Sequence, residues 1–331
     1  MKAMHCLAYG DPPELAIAAV DDPQPGPGEV LAEVESVGIG YFDAVLLGGR
    51  YQEKPALPFI PGREFAGRII DVGADVDRNL IGRRIAGLTF KGSLAERAVA
   101  KAHDCMVMPP NLPDDMDGAF LSAYATSLYA LESCGHMRPG ERVLILGAAG
   151  TVGTAAIEIA KAFDGFVIAA ASSPEKRAFC LQQGADLAID YTAENWRRTM
   201  SDALGTGGVD LVVDSVGGAL SETAFRCLNP GGRHLVVGFS SGEIGRLPLN
   251  LPLLKRANVV GVDWGGFMQK EPEPSRKLLE RLSQLLAEGR IRPEPARILP
   301  VDALPALLKD LLARRNIGKP VIRVAGDPSF R

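Results

Sequence analysis

The segment Arg142-Val-Leu-Ile-Leu-Gly147-Ala-Ala-Gly150-Thr-Val-Gly153 constrains the chain more than any other. Its first half is an apolar run without alternation, the pattern of a strand covered on both faces in a parallel sheet. Its second half is a glycine-spaced turn, after which residues 151–163 continue with helical periodicity. A buried strand turning directly into a helix commits the chain to a crossover, and a crossover needs further parallel strands. Residues 166–171, 187–190, 211–214 and 234–239 read as those strands, with helices over 174–183 and after Gly218. This alternation predicts a doubly wound α/β domain.

The first 120 residues have another texture. A Pro/Gly turn at 23–30 runs into residues 30–37, where apolar residues alternate with Glu33 and Glu35, and residues 67–72 and 94–100 read similarly. Such strands predict a small barrel or sandwich. After Trp264, residues 275–288 carry one stripe of leucines and residues 304–312 another, both expected to pack a core. A strand over 320–324 closes the chain. Its 331 residues suit two domains of ~150 residues each.

Several function classes are disfavoured. Net charge is −4 and no basic block exceeds three residues, so a nucleic-acid footprint is not expected. The longest stretch without charge, from Val143 to Ile157, is shorter than the ~18 residues of a membrane span, and the N-terminal residues have no apolar signal core. The five cysteines are scattered without a C-x-x-C pair, which suits a reduced, cytoplasmic protein better than a disulfide or Cys-rich zinc framework.

The glycine turn suits a dinucleotide pyrophosphate, which needs close backbone approach and the free N–H groups of a helix N-terminus. Ala149, Gly150, Thr151, Val152 and Gly153 are the candidate contacts. The second strand ends Ala171-Ser172-Ser173-Pro174-Glu175-Lys176-Arg177. No acid stands at its tip to bond a ribose hydroxyl and repel a 2′-phosphate, while Ser172, Ser173, Lys176 and Arg177 offer hydroxyls and cations. NADPH is therefore expected over NADH. Ser173 also suits the N-cap of the next helix, and Ser172 and Glu175 have capping-box spacing. Tyr191, past the third strand, could pack against the adenosine half.

Taken together, the barrel-like start, Pro61-Gly-Arg63-Glu64-Phe-Ala-Gly67, the AAGTVG loop, SSPEK, Asp190-Tyr191, Val237-Gly-Phe239 and Gly261-Val-Asp-Trp264 resemble the zinc-independent NADPH:quinone oxidoreductase branch of the medium-chain dehydrogenase/reductase superfamily. The resemblance covers nearly the whole chain. It implies a GroES-like β-rich catalytic domain from residues 1–121 and 266–331, and a Rossmann NADPH-binding domain, a doubly wound parallel sheet, over 122–265. It also implies a homodimer paired through the edge strand over residues 259–263. Tyr41, Tyr51 and Thr126 would lie near the nicotinamide, with Phe239, Ser240 and Trp264 from the Rossmann loops and Lys319 from the returning segment.

Zinc alcohol dehydrogenases of this superfamily carry Cys, His and Cys where this chain has Gly40, Arg63 and Ser122, so no metal is expected. Without zinc to stabilise an alkoxide, the resemblance implies hydride transfer to an acceptor that is already electron-poor, a quinone or an enone. Where quinone reductases of this type carry Asn in V-N-F-x-D, this chain has Gly40. A second enzyme reading is an enoyl-thioester reductase with Tyr51 as proton donor. A third, of another class, is an NADPH-binding structural or sensor protein with little turnover.

Overall fold

The computed structural model describes residues 1–110, 119–205, 207–293 and 297–330. Two compact units emerge. One comprises Met1–Ser122, Met268–Gly289 and Pro293–Arg331; the other comprises Ala123–Phe267 and Arg290–Arg292.

The first unit opens with the antiparallel pair β1 (Lys2–Ala8) and β2 (Glu14–Ala19). Then come β3 (Glu29–Gly38), α1 (Tyr41–Leu47), β4 (Glu64–Val72), β5 (Arg84–Leu88), β6 (Arg97–Lys101) and β7 (Cys105–Val107). β3 is the spine, pairing antiparallel with both β4 and β6. Its register against β4 shifts at Leu31/Ala32 and Val34/Ser36, bulges that bend the strand and increase its twist. The strand expected over 94–100 begins only at Arg97. Ahead of it, the Leu94 amide bonds Pro61 and the Ala95 amide bonds Ser93, so the backbone is still turning.

The second unit runs from α2 (Leu121–Leu128), most of which belongs to it, through β8 (Arg142–Leu146), α3 (Thr151–Ala162), β9 (Phe166–Ala170), α4 (Pro174–Gln182), β10 (Leu187–Ile189) and α5 (Trp196–Leu204). It continues with β11 (Val209–Asp214), α6 (Ala219–Phe225), β12 (Leu228–Val236), α7 (Asn250–Lys255) and β13 (Asn258–Gly261). All six strands are parallel, in the order β10-β9-β8-β11-β12-β13. Val143, Leu144, Ile145 and Leu146 are fully buried, as the unbroken apolar run requires. The strand order reverses between β8 and β11, and the carboxyl ends of strands at such a point form the ligand crevice of this architecture.

Two strands differ from expectation. Residues 234–239 were expected as a strand, but β12 ends at Val236 because the Val237 and Gly238 amides both turn to the Asp214 carbonyl (2.8 and 3.2 Å). The edge strand expected over 259–263 lies at Asn258–Gly261. Asp263 instead takes the Gly266 amide on its carboxylate (2.9 Å) and starts the next helix.

That helix, α8 (Trp264–Lys270), leads to α9 (Pro272–Ala287), β14 (Arg297–Leu299), α10 (Leu304–Leu312) and β15 (Pro320–Arg323). β15 pairs antiparallel with β3, placing the chain's last strand against one of its first. Leu304, Leu307, Leu308 and Leu311 share a core with Ala44, Leu46 and Leu47 of α1. Each such leucine contributes about 1.5–3 kcal/mol by leaving water. No described helix is long and apolar enough to cross a membrane.

Candidate active site

The glycine turn is built as a cradle. β8 ends at Leu146, whose carbonyl accepts the Ser215 hydroxyl (3.1 Å). Gly147 takes φ +66°, a conformation that strains any residue with a Cβ, and the Gly150 amide turns back onto its carbonyl (2.9 Å). Gly153 serves close packing, since a Cβ there would stand 2.5 Å from the Gly147 oxygen. Gly150 is the N-cap of α3 and makes no side-chain cap bond. A helix N-terminus with partial positive charge and no side-chain cap bond follows the carboxyl end of β8, an arrangement that can hold an anion. Ala149, Gly150, Thr151, Val152 and Gly153 all lie on this turn. The buried Ser127 hydroxyl donates to the Val152 carbonyl (3.1 Å), pinning α2 to the first turn of α3. Thr126, half-buried, is its neighbour on α2.

The tip of β9 carries Ser172 and Ser173. Ser173 is the N-cap of α4, its hydroxyl accepting the Lys176 amide (3.3 Å). The capping box expected from Ser172 and Glu175 does not form, because the helix starts one residue later than that spacing needs. Arg177 reaches back to the tip: its guanidinium bonds the Ala171 carbonyl (3.3 Å) and pairs with Asp190 (2.9 Å). Hydrogen bonds from Thr192, and then the nearby Arg177, hold the Asp190 carboxyl below its ordinary range. Tyr191 packs against the core of this unit.

Sequence reasoning missed the hub of this end of the sheet, Asp214. One oxygen of its buried carboxylate accepts the Val216 and Gly217 amides (3.0 and 2.8 Å). The other accepts the Ser221 hydroxyl (2.6 Å) and faces His234 Nε2 (3.0 Å). Burial alone would push its pKa up, but the His234 bond, the Gly217 amide and the Ser221 hydroxyl outweigh it and the net direction is down. The loop so fixed is laced to the next one, Ser240 N–H to Ser215 and Ser241 N–H to Val216. Phe239 lies against Gly217, where a Cβ would meet its ring at 2.8 Å. The available signal was Asp214-Ser-Val-Gly-Gly218, an acid at a strand end before paired glycines. Trp264 is buried beside Tyr129 and Phe267, whose rings stack at 4.4 Å, and its indole N–H has no partner among the described residues.

Tyr41, Tyr51 and Lys319 belong to the first unit. Tyr41 opens α1, whose N-cap Gly40 donates its amide to Asp43 (2.8 Å). Tyr51 stands edge-on to Phe42, ring centres 4.8 Å apart. Lys319 was expected at the cofactor. The structure pairs Glu64 with Lys319 instead (2.7 Å), almost wholly out of water, and lays Arg63 over the Phe42 ring. Burial pushes the Glu64 carboxyl up, with Lys319 opposing, and does the same to Asp43 against the Gly40 amide.

Residues 26–110 match the family model for an alcohol dehydrogenase GroES-like domain, and residues 151–284 match that for a zinc-binding dehydrogenase. The chain is 35% identical over 295 residues to quinone oxidoreductase-like protein 2 of Bos taurus, covering 88% of this chain and 84% of that one. Among solved structures, the quinone oxidoreductase of Thermus thermophilus, studied also in complex with NADPH, superposes with TM-score 0.82 at 31% identity over 98% of this chain and all of that one. CurK enoyl reductase superposes with TM-score 0.86 at 25% identity, covering 97% and 99%.

Proposed function

Because the chain belongs to the quinone oxidoreductase branch of the medium-chain dehydrogenase/reductase superfamily, we propose that it reduces a quinone or a similarly electron-poor conjugated carbonyl with NADPH and without zinc. The observation that carries this reading is the uncapped N-terminus of α3 beside a β9 tip that bears hydroxyls and the Arg177 guanidinium. These residues fit a dinucleotide: the turn from Ala149 to Gly153 would hold the pyrophosphate, and Ser172, Ser173, Lys176 and Arg177 the 2′-phosphate. Tyr191, Phe239, Ser240, Trp264 and Lys319 complete the proposed contacts; Lys319 and Trp264 would act as supports, given the ion pair and the aromatic packing that hold them.

The reduced nicotinamide supplies the hydride when bound. The protein's part is orientation, which can contribute ~7–11 kcal/mol, and Tyr41, Tyr51 and Thr126 are the groups assigned to it. The residues do not fit zinc. Gly40 has no donor and Arg63 brings a cation, and no group of three His, Cys, Asp or Glu among the described residues could hold a metal. We place the enzyme in the cytoplasm, in keeping with five free cysteines, as a homodimer formed through β13. NADPH oxidation with 9,10-phenanthrenequinone, 1,4-benzoquinone and crotonyl-CoA, repeated with NADH and with EDTA, tests the reading. NADPH-selective quinone turnover that resists EDTA is the expected result; silence with bound NADPH would favour a structural or sensor role.

Enoyl-thioester reduction is the second reading. It is favoured by the Tyr51 hydroxyl, which has no hydrogen bond among the described residues and so can donate to an α-carbon. Turnover of crotonyl-CoA that collapses in Tyr51→Phe while quinone turnover persists would select it.

A further inference from the structure

Arg63 has donors that the fold does not use. Its guanidinium carbon stands 4.6 Å from the centre of the Phe42 ring. Phe42 is held edge-on by Tyr51 on one side and by Phe90, ring centres 6.0 Å apart, on another. The ring offers the guanidinium no lone-pair acceptor, and the guanidinium carries five N–H donors. None of them bonds a described residue. The acids nearby are already engaged: Glu64 holds Lys319, and one oxygen of Asp43 holds the Gly40 amide. Arg63, Phe42 and Tyr51 are half-buried and Phe90 is 36% exposed, so the cluster keeps some access to a ligand.

An arginine placed only to stabilise the fold would gain little from an exposed ring, an interaction that does not call for a planar fork of donors. The fork is what a carboxylate or sulfonate engages with two parallel hydrogen bonds. Flat aromatic rings beside it match a planar conjugated body, and the unpartnered Tyr51 hydroxyl adds one more polar contact. We propose that Arg63, with Phe42, Tyr51 and Phe90, forms a subsite for an acceptor that joins a planar conjugated carbonyl body to an anionic substituent. The proposal rests on the reductase reading above and narrows its substrate class. Burial pushes the Asp43 carboxyl up, with the Gly40 amide, Lys319 and Arg63 opposing.

The test compares 9,10-phenanthrenequinone with its 2-sulfonate as acceptors for the full-length protein, Arg63→Gln and Arg63→Lys. The quantity read is the ratio of kcat/KM for the sulfonate to that for the parent quinone. A hydrogen-bonded charge pair predicts that the ratio exceeds one in the native protein and falls about ten- to a hundredfold in Arg63→Gln, with partial recovery in Arg63→Lys. A native ratio of one or below, or a ratio unchanged by Arg63→Gln, overturns the subsite. Should neither quinone be turned over, the reductase reading fails, and calorimetry still decides the subsite. Anthraquinone-2-sulfonate should then bind more tightly than 2-hydroxymethylanthraquinone, and Arg63→Gln should abolish the difference; equal affinities overturn the proposal.

Discussion

Lys319 and Glu64 lie 255 positions apart in sequence yet 2.7 Å apart in space, their side chains 14% and 2% exposed. Removing one member of such a pair strands the other charge out of water. Lys319→Met is expected to destabilise the protein by about 3–5 kcal/mol, read as a lower denaturant midpoint, and Lys319→Met/Glu64→Leu to recover most of that loss. Asp214 makes a prediction in pH. Its folded pKa lies below the ordinary 3.8, so its stabilisation is present above that value and is lost as pH falls through the folded pKa. Urea midpoints measured from neutral pH to about pH 3 should show Asp214→Asn less stable than the native protein at neutrality, with the gap narrowing on acidification. The family resemblance singled out Lys319, but as a cofactor contact, and the acid before paired glycines at Asp214 marks only a strand end; the partners that define both arrive through tertiary contacts.

Among elements, the legible ones were those whose burial is uniform or whose ends are chemically marked. The apolar run of β8, the glycine turn and Pro174 at the start of α4 announce themselves locally. β12 does not. It contains Pro230-Gly231-Gly232, which reads as a turn, yet pairs with β11 on both sides of a register shift, Val209 with Leu228 and Leu211 with Arg233. A register shift of this kind is fixed by the partner strand, which the local sequence does not show. The turn before α3 carries its own prediction. Gly153→Ala would set a methyl 2.5–2.7 Å from the Gly147 and Ala148 backbone, so helix and strand must separate. A loss of about 1–3 kcal/mol is expected in thermal unfolding, together with weaker NADPH binding by fluorescence titration, because the same movement displaces the amides at the N-terminus of α3.

For the whole molecule, the second unit presents an unusual surface. Ile244, Leu249, Leu253 and Leu254 are 73–84% exposed, and Val259 of β13 is half exposed on the sheet's open edge. Apolar residues concentrated in one stretch of chain beside an edge strand mark an association surface more than a solvated one. If the proposed dimer forms there, Val259→Lys should shift sedimentation toward the monomer, since a charge on the pairing strand opposes edge-to-edge contact. The division into two units follows composition, β-rich segments against alternating strands and helices, and was legible for that reason. The return of the last segments to the first unit was not written in any residue pattern; it entered through the family resemblance.

That return sets an order of events during synthesis. β3 acquires its neighbour β15 only when Val321 and Ile322 reach Gly38 and Val37, about 280 residues later, or roughly 15–60 s at ribosomal rates of 5–20 residues per second. The six parallel strands, by contrast, all lie within Ala123–Phe267 and have their partners as soon as that stretch emerges. The growing chain therefore completes its middle before its beginning, and the Ser36–Gly38 end of β3, beyond the reach of β6, keeps one side unclaimed throughout.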